Sequence, residues 1–137
     1  PETLRRIEPL VTGPVEANRE VRLGFTLGLK HGVEFTVNKE QHHRADPVRV
    51  GELQVWDVVN RSPVHHPFHL HGFFFQVLQV NGKPPGFLSW EDTINVAAFG
   101  SVRIAWMPDD RPGEWMYHCH ILEHHAAGMM AHFAVLR

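Results

Sequence analysis

The sequence is short of cysteine, of net charge and of long apolar runs, and each shortage excludes a class of protein. A single cysteine, Cys119, rules out a disulfide within the chain. The formal net charge of -2 gives no reason to expect a nucleic acid or an anionic membrane as a partner. No apolar run approaches the roughly 20 residues that a membrane-spanning helix needs. We also recognise no signal peptide in this stretch.

Size and composition predict one globular domain. The chain has 137 residues, of which 43% are hydrophobic and 20% charged, as is ordinary for a folded domain. Pro1–Asn18 holds three prolines, one glycine and little periodicity, which is typical of a linker or an irregular lead-in. We therefore expect the domain to span Arg19–Arg137. The opening residues, PETLRRIEPL, lead us to expect a fragment or a processed product.

Short apolar segments predict an all-β fold. Arg19–Leu29 alternates apolar with smaller or polar side chains, and Phe73–Val80 is dense in aromatic and branched residues. Val48–Asn60 is predicted as another strand, with a bend at Gly51. About eight such strands with regular turns and no long helical stretch indicate a β-sandwich, although the pattern alone leaves a closed barrel open.

Histidine is the residue in excess, with twelve copies, and most of them surround the cysteine or precede Gly72. Cys119 lies between two histidines, and His124 follows at +5 and Met129 at +10. Two imidazoles, one thiolate and a weak axial thioether form the ligand set of a type 1 copper site. The second imidazole is expected from the HHPFHLHG segment, residues 65–72. Met130 would face the other way from Met129 and pack in the core.

The residues on either side of the cysteine predict a second metal region. Alternate side chains of a strand point to opposite faces, so His118 and His120 would share the face opposite Cys119. His69 and His71 repeat the same spacing. One strand would then join a mononuclear site to a metal cluster through its own covalent bonds.

The two histidine motifs carry a family resemblance. HPFHLHG (residues 66–72) and HCHILEHHAAGM (residues 118–129) resemble the C-terminal cupredoxin domain of multicopper oxidases of the laccase and bilirubin-oxidase group, from about Val33 onward. The resemblance implies an all-β, Greek-key, cupredoxin-like β-sandwich. Residues 1–18 would be the lead-in, and residues 19–137 the C-terminal domain of a larger oxidase.

The resemblance also implies which residues bind which copper. The type 1 ligands would be His66, Cys119, His124 and Met129. The type 2 copper would take His69, and the type 3 pair would take His71, His118 and His120. Such a trinuclear cluster needs two more HxH motifs, and the sequence has none. We therefore expect the N-terminal cupredoxin domain or domains of the same oxidase, covalently attached or as a separate chain, to complete it.

The function implied is that of a laccase-like oxidase. A phenol, an aromatic amine or a low-valent metal ion would give single electrons to the type 1 copper through His124. Cys119, His118 and His120 would carry them to the cluster, where dioxygen becomes water. Relatives of this kind are mostly periplasmic or secreted, so the resemblance implies the same location for this protein. The alternatives are a stand-alone blue-copper electron-transfer protein, which needs only the type 1 ligands, and a zinc site, which has no use for the methionine.

Three further positions carry weaker expectations. Asp92 would orient a ligand imidazole, or would be a solvated loop carboxylate. His42 and His43 would lie in a solvated loop, or else at the metal edge or a domain interface. His125 occupies a position where many bacterial relatives carry an acidic residue that is thought to pass protons to the cluster; it would relay protons in its place, or would be an exposed polar residue beside the metal.

Overall fold

The computed structural model describes residues 7–28, 32–121 and 128–137. Within these ranges all regular structure is β, in twelve strands. The strands are β1 (Arg19–Gly28), β2 (Gly32–Val37), β3 (His43–Arg44), β4 (Val48–Arg49), β5 (Gln54–Asn60), β6 (His66–Leu70), β7 (Phe75–Val80), β8 (Trp90–Glu91), β9 (Thr93–Val96), β10 (Ser101–Trp106), β11 (Gly113–Cys119) and β12 (Met130–Leu136). No helix able to cross a bilayer occurs in the described ranges.

The strands form two sheets packed face to face. One sheet has the order β2-β1-β5-β10-β7-β8, and the other has the order β3-β12-β11-β6-β9, with β4 also beside β12. From β5 to β7 and again from β8 to β11, successive strands cross between the sheets, as in Greek-key sandwiches. The predicted all-β sandwich is confirmed, and the described strands do not close into a single barrel.

The core between the sheets is a cluster of large aromatic side chains. Trp56 of β5 meets Trp106 of β10 edge-on, with ring centroids 5.2 Å apart, and meets Tyr117 of β11 at 5.3 Å. Phe133 of β12 completes the cluster at 6.1 Å from Trp56. All four residues are fully buried. Truncating such a residue costs about 3–5 kcal/mol, so this cluster holds β11, the strand that carries Cys119, firmly against the opposite sheet.

Two predicted strands have different bounds in the structure. Val48–Asn60 is not one strand, because Gly51 takes a left-handed φ of 77° and the chain passes from β4 in one sheet to β5 in the other. The Phe73–Val80 segment becomes extended only at Phe75, because the chain turns at Gly72 with a φ of 86°. Both corrections come from glycines that adopt backbone conformations unfavourable to other residues.

The segment around His42 and His43 is largely the solvated loop that was predicted, since His42 is exposed and His43 is half-buried. His43 begins the short strand β3, which pairs in parallel with β12, and its Nδ1 lies 2.6 Å from Glu40 Oε1. The backbone N–H of His42 donates to the carbonyl of Gly128 at 2.8 Å. The segment therefore lies beside the residue that precedes Met129.

The described part of the lead-in, residues 7–18, contains no strand but is attached to the sandwich. Gln76 of β7 accepts from the backbone N–H of Leu10 at 2.8 Å and donates to the carbonyl of Glu8 at 2.9 Å. Arg103 of β10 donates to the carbonyl of Val15 at 2.8 Å. The lead-in thus lies along one sheet.

Candidate metal centre

The site is built on two neighbouring antiparallel strands, β6 and β11. Their register places His118 opposite His69, and Cys119 opposite Phe68. Cross-strand partners share a face and successive residues alternate. Cys119 and Phe68 accordingly belong to the buried core, whereas the two histidines belong to the other face of the sheet.

The inner face brings Cys119 and His66 together. The Sγ atom of Cys119 lies 3.4 Å from Nδ1 of His66, and neither residue is exposed to solvent. Met129 is also fully buried in the same core cluster, and its carbonyl accepts from the Cys119 backbone N–H at 3.2 Å. Met130 instead pairs with His118 in the register of β11 and β12. The fourth predicted ligand, His124, lies outside the described residues, as does His125.

Burial controls the ionisation of the thiol. Desolvation raises the pKa of Cys119 to about 11, and a hydrogen bond with the backbone of Ile121 opposes that rise only in part. An apolar interior penalises a thiolate, whereas a bound metal cation stabilises it. The inner site therefore keeps a neutral thiol until a cation with an affinity for sulfur and imidazole arrives.

The outer face of the same strands carries four imidazoles in one cluster. His69 is central, with its ring centroid 5.2 Å from that of His118, 5.1 Å from His120 and 5.8 Å from His71. A metal–nitrogen bond of about 2.0–2.1 Å places two imidazole rings on a tetrahedral ion roughly 5 Å apart. The ring spacings therefore suit histidines that share or border metal ions.

Neither face alone completes a metal shell from the described side chains. Within residues 7–28, 32–121 and 128–137, no three His, Cys, Asp or Glu side chains converge as they would around one ion. On the inner face only Cys119 and His66 are of these types, because Met129 is a thioether and His124 lies outside the described residues. On the outer face, the four imidazoles lie close together without converging on one point. The residues present fit copper at both places, as a thiolate–imidazole site and as half of a histidine cluster.

Backbone carbonyls determine which nitrogen of two cluster histidines bears the proton. Nδ1 of His69 lies 3.0 Å from the carbonyl oxygen of Asp92, and Nδ1 of His118 lies 2.9 Å from that of Cys119. Because a carbonyl only accepts, Nδ1 must be the protonated nitrogen in both rings. Nε2 is then the nitrogen whose lone pair can bind a metal, and the carbonyls keep each ring in position.

Asp92 contacts His69 through its backbone while its carboxylate is exposed, and Thr93 beside it contacts the same ring. The backbone of Asp92, not its carboxylate, contacts His69, and the hydroxyl of Thr93 lies 3.1 Å from the same nitrogen. The carboxylate acts one step further away, accepting from the Thr93 hydroxyl at 3.0 Å. Sequence reasoning missed Thr93, because its only signal is the pairing of β9 with β6, which places it opposite His69.

Gly72, directly after His71, is tightly enclosed. A Cβ atom there would overlap the indole of Trp115, with Cε3 only 2.6 Å away. The indole has little freedom to move, because the guanidinium of Arg111 lies over it at 5.1 Å and donates to the carbonyl of Gly72 at 2.6 Å. The turn that ends the HLHG motif is therefore specific for glycine.

Replacing Gly72 by alanine should lower the free energy of unfolding by about 3 kcal/mol, of which a left-handed residue accounts for about 1–2 kcal/mol and overpacking for the rest. Gly82 is the matched control, since its φ of 80° resembles the 86° of Gly72 but its Cβ would meet nothing within 4 Å. Gly82→Ala should therefore lower the free energy of unfolding only by the part that comes from the left-handed backbone. Chemical denaturation measures both variants, and equal losses would show that the Trp115 contact is unimportant.

Comparisons with known proteins find relatives of this chain. A family model of multicopper oxidases matches residues 18–137. The multicopper oxidase MmcO of Mycobacterium tuberculosis is 35% identical over 111 residues, covering 80% of this chain and 21% of that protein. A laccase of Bacillus subtilis is 34% identical over 117 residues, covering 68% of this chain and 22% of that protein.

A solved structure extends the match to the fold. The multicopper oxidase from Campylobacter jejuni, described as a metallo-oxidase, superposes with a TM-score of 0.79 at 27% identity, covering 97% of this chain and 34% of that one. The cupredoxin-like fold is thereby confirmed. This chain spans about a fifth of the two curated relatives and a third of the solved structure. The chain belongs to the multicopper oxidase family.

Proposed function

We propose that this chain is the electron-accepting cupredoxin domain of a laccase-like oxidase, which couples one-electron oxidation of a small substrate to reduction of dioxygen to water. The observation that carries the proposal is the placement of Cys119 Sγ at 3.4 Å from His66 Nδ1 on one face of β11, with histidines clustered on the other face. A stand-alone electron carrier needs only the first of these features. The four clustered imidazoles therefore favour the oxidase.

The proposed ligands follow the two faces. His66, Cys119, His124 and Met129 would hold the type 1 copper. His69 would hold the type 2 copper, and His71, His118 and His120 the type 3 pair. Copper bound at these places would supply one-electron exchange on the inner face and multi-electron reduction of dioxygen on the outer face.

The protein itself contributes a dry inner site and a short covalent connection between the faces. His66, Cys119 and Met129 are all fully buried, which excludes water from the inner site. Cys119 is bonded directly to His118 and His120, so one peptide unit separates the sulfur-bearing residue from each imidazole. The hydrogen bond from His118 to the Cys119 carbonyl, at 2.9 Å, adds a second connection.

The outer face requires a partner domain. This chain spans about a fifth of the two curated relatives described above, which leaves ample sequence in such proteins for other cupredoxin domains. An apolar groove of about 450 Å³ begins at Phe73 and Phe74, just after His71, and is lined further by Trp90 and Met107. Phe74 is 62% exposed and Trp90 43% exposed. An N-terminal cupredoxin domain that completed the histidine cluster would also cover this groove.

The substrate class is a phenol, an aromatic amine or a low-valent metal ion. Relatives include a protein named laccase and one described as a metallo-oxidase, which supports both organic and metal-ion substrates. We place the oxidase in the periplasm or outside the cell, as its resemblance implies. The direct test is oxygen uptake by the copper-loaded full-length protein with a phenolic substrate. Blue colour with substrate oxidation but no oxygen uptake would instead indicate an electron carrier.

Replacing Met129 by leucine should raise the reduction potential of copper bound at the type 1 site, because losing a thioether donor would favour the reduced ion. Leucine and methionine have similar volumes, so the fold should lose less than about 1.5 kcal/mol. Met130→Leu is the matched control, since Met130 is also buried but pairs with His118. A redox titration followed by the visible band measures both variants. A rise in Met130→Leu and none in Met129→Leu would contradict the ligand assignment.

A further inference from the structure

A buried hydrogen-bond network surrounds the far side of His66. Asn60 at the end of β5, Ser62 in the following connection, and His66 are between 0% and 1% exposed. Ser62 Oγ lies 2.8 Å from Nε2 of His66 and 2.8 Å from Oδ1 of Asn60. Neither Asn60 nor Ser62 was expected from the sequence to take part in the site, and neither has a role in the proposed function.

The orientation of the Asn60 amide follows from its neighbours. Its Nδ2 atom is within hydrogen-bond distance of three backbone carbonyls, at 2.8 Å from Val64, 3.1 Å from Val96 and 3.1 Å from Ala97. Carbonyl oxygens only accept, so the amide nitrogen must occupy this position. The amide oxygen then accepts from the backbone N–H of Ser62 at 2.9 Å. These hydrogen bonds allow only one orientation of the Asn60 amide.

The same reasoning assigns the protons at Ser62 and His66. The hydroxyl oxygen of Ser62 is 2.8 Å from Asn60 Oδ1 and 3.0 Å from the carbonyl of Val64, and both of those oxygens only accept. A hydroxyl has one proton, and donating it to His66 would leave both of these short oxygen–oxygen contacts without a hydrogen, so it goes to one of the two oxygens. Only lone pairs are then left for His66, so Nε2 of His66 must donate to Ser62.

We propose that Asn60 and Ser62 hold His66 in the Nε2–H tautomer, so that the Nδ1 lone pair is directed to the Cys119 side before any metal binds. Ser62 is thus a positioning residue for the type 1 site. The inference rests on the proposed function only in treating His66 as a copper ligand. His66 would bind through Nδ1, whereas carbonyl contacts prepare His69 and His118 to bind through Nε2.

The hydrogen-bond network connects the two sheets, and this connection stabilises the orientation of the His66 ring. Asn60 lies in the first sheet, and its amide contacts Val96 at the end of β9 in the second sheet. Val96 is also the β-pairing partner of His66. Groups of both sheets therefore hold His66, through the hydrogen bond of its ring and through the pairing of its backbone. Turning the ring would break the buried contact between Nε2 and Ser62 Oγ.

Ser62→Ala removes the acceptor for Nε2–H, and Ser62→Thr retains it. In metal-free protein labelled with ¹⁵N-histidine, ring-nitrogen chemical shifts should report the Nε2–H tautomer of His66 in wild type and Ser62→Thr, and a mixture in Ser62→Ala. Affinity for type 1 copper should fall about 10–100-fold in Ser62→Ala and recover in Ser62→Thr. Ser89→Ala is the control, because its hydroxyl donates to Glu91 and not to a proposed copper ligand, and it should change neither measurement.

A wild-type His66 in the Nδ1–H form would overturn the inference, even if Ser62→Ala failed to fold. Unchanged tautomer and affinity in a folded Ser62→Ala would overturn it as well. The metal-free measurement separates this inference from the proposed function. If the protein showed the expected tautomer but no oxygen uptake, the inference about Ser62 would stand and the proposed oxidase function would be wrong.

Discussion

Replacing Cys119 by serine is expected to abolish the blue absorption and substrate oxidation together. The colour and the low-barrier electron exchange of a type 1 site both depend on a thiolate ligand, and a serine hydroxyl does not provide one. The full-length oxidase, loaded with copper, should lose its visible band and its oxygen uptake with a phenol. Its copper content should fall only by the one ion that the inner site would hold.

The fold should survive this substitution well enough to be tested. Cys119 is fully buried, so a hydroxyl in its place costs about 1–3 kcal/mol, reduced where Nδ1 of His66 at 3.4 Å accepts its proton. Circular dichroism and thermal unfolding of the metal-free protein check that point. A folded Cys119→Ser protein that stayed blue would refute the assignment of the inner site.

Replacing His69 or His118 by alanine is expected to remove the oxygen uptake but keep the blue absorption, whereas Cys119→Ser removes both. Both rings belong to the outer cluster, 5.2 Å apart, and neither is proposed to hold the type 1 copper. The variants should keep the blue band and still be reduced by substrate. Their oxygen uptake should fall by more than the roughly 100-fold that loss of an outer-shell partner costs.

His65→Ala provides the comparison for these variants. His65 precedes the proposed ligand His66 in the chain but is exposed and outside the cluster. It should therefore keep both the colour and the oxygen uptake. If His69→Ala and His118→Ala behaved like His65→Ala, the outer face would be dispensable, and the chain would act as a blue-copper electron carrier.

Sequence reasoning could anticipate the two faces of the site. Alternation along a strand is a local property, so the separation of Cys119 from His118 and His120 follows from their order alone. The pairing of those histidines with His69 needed only a second strand with the same spacing. The register of β6 and β11 then placed His118 opposite His69.

Contacts between distant elements could not be anticipated in the same way. Ser62 and Thr93 are ordinary hydroxyl residues in the sequence, and they reach His66 and His69 only because their segments lie next to β6. The change of sheet at Gly51 likewise depends on how β4 and β5 pair with different partners. Such features follow from tertiary packing, which overrides local preference.

The most direct test of the two-sided site is anomalous diffraction at the copper edge from crystals of the copper-loaded full-length oxidase. One peak should lie within bonding distance of Cys119 Sγ and His66 Nδ1. Separate peaks should lie across the strand, beside His69, His71, His118 and His120. A cluster of copper on the histidine side with none at Cys119, or zinc in place of copper at both, would contradict the account.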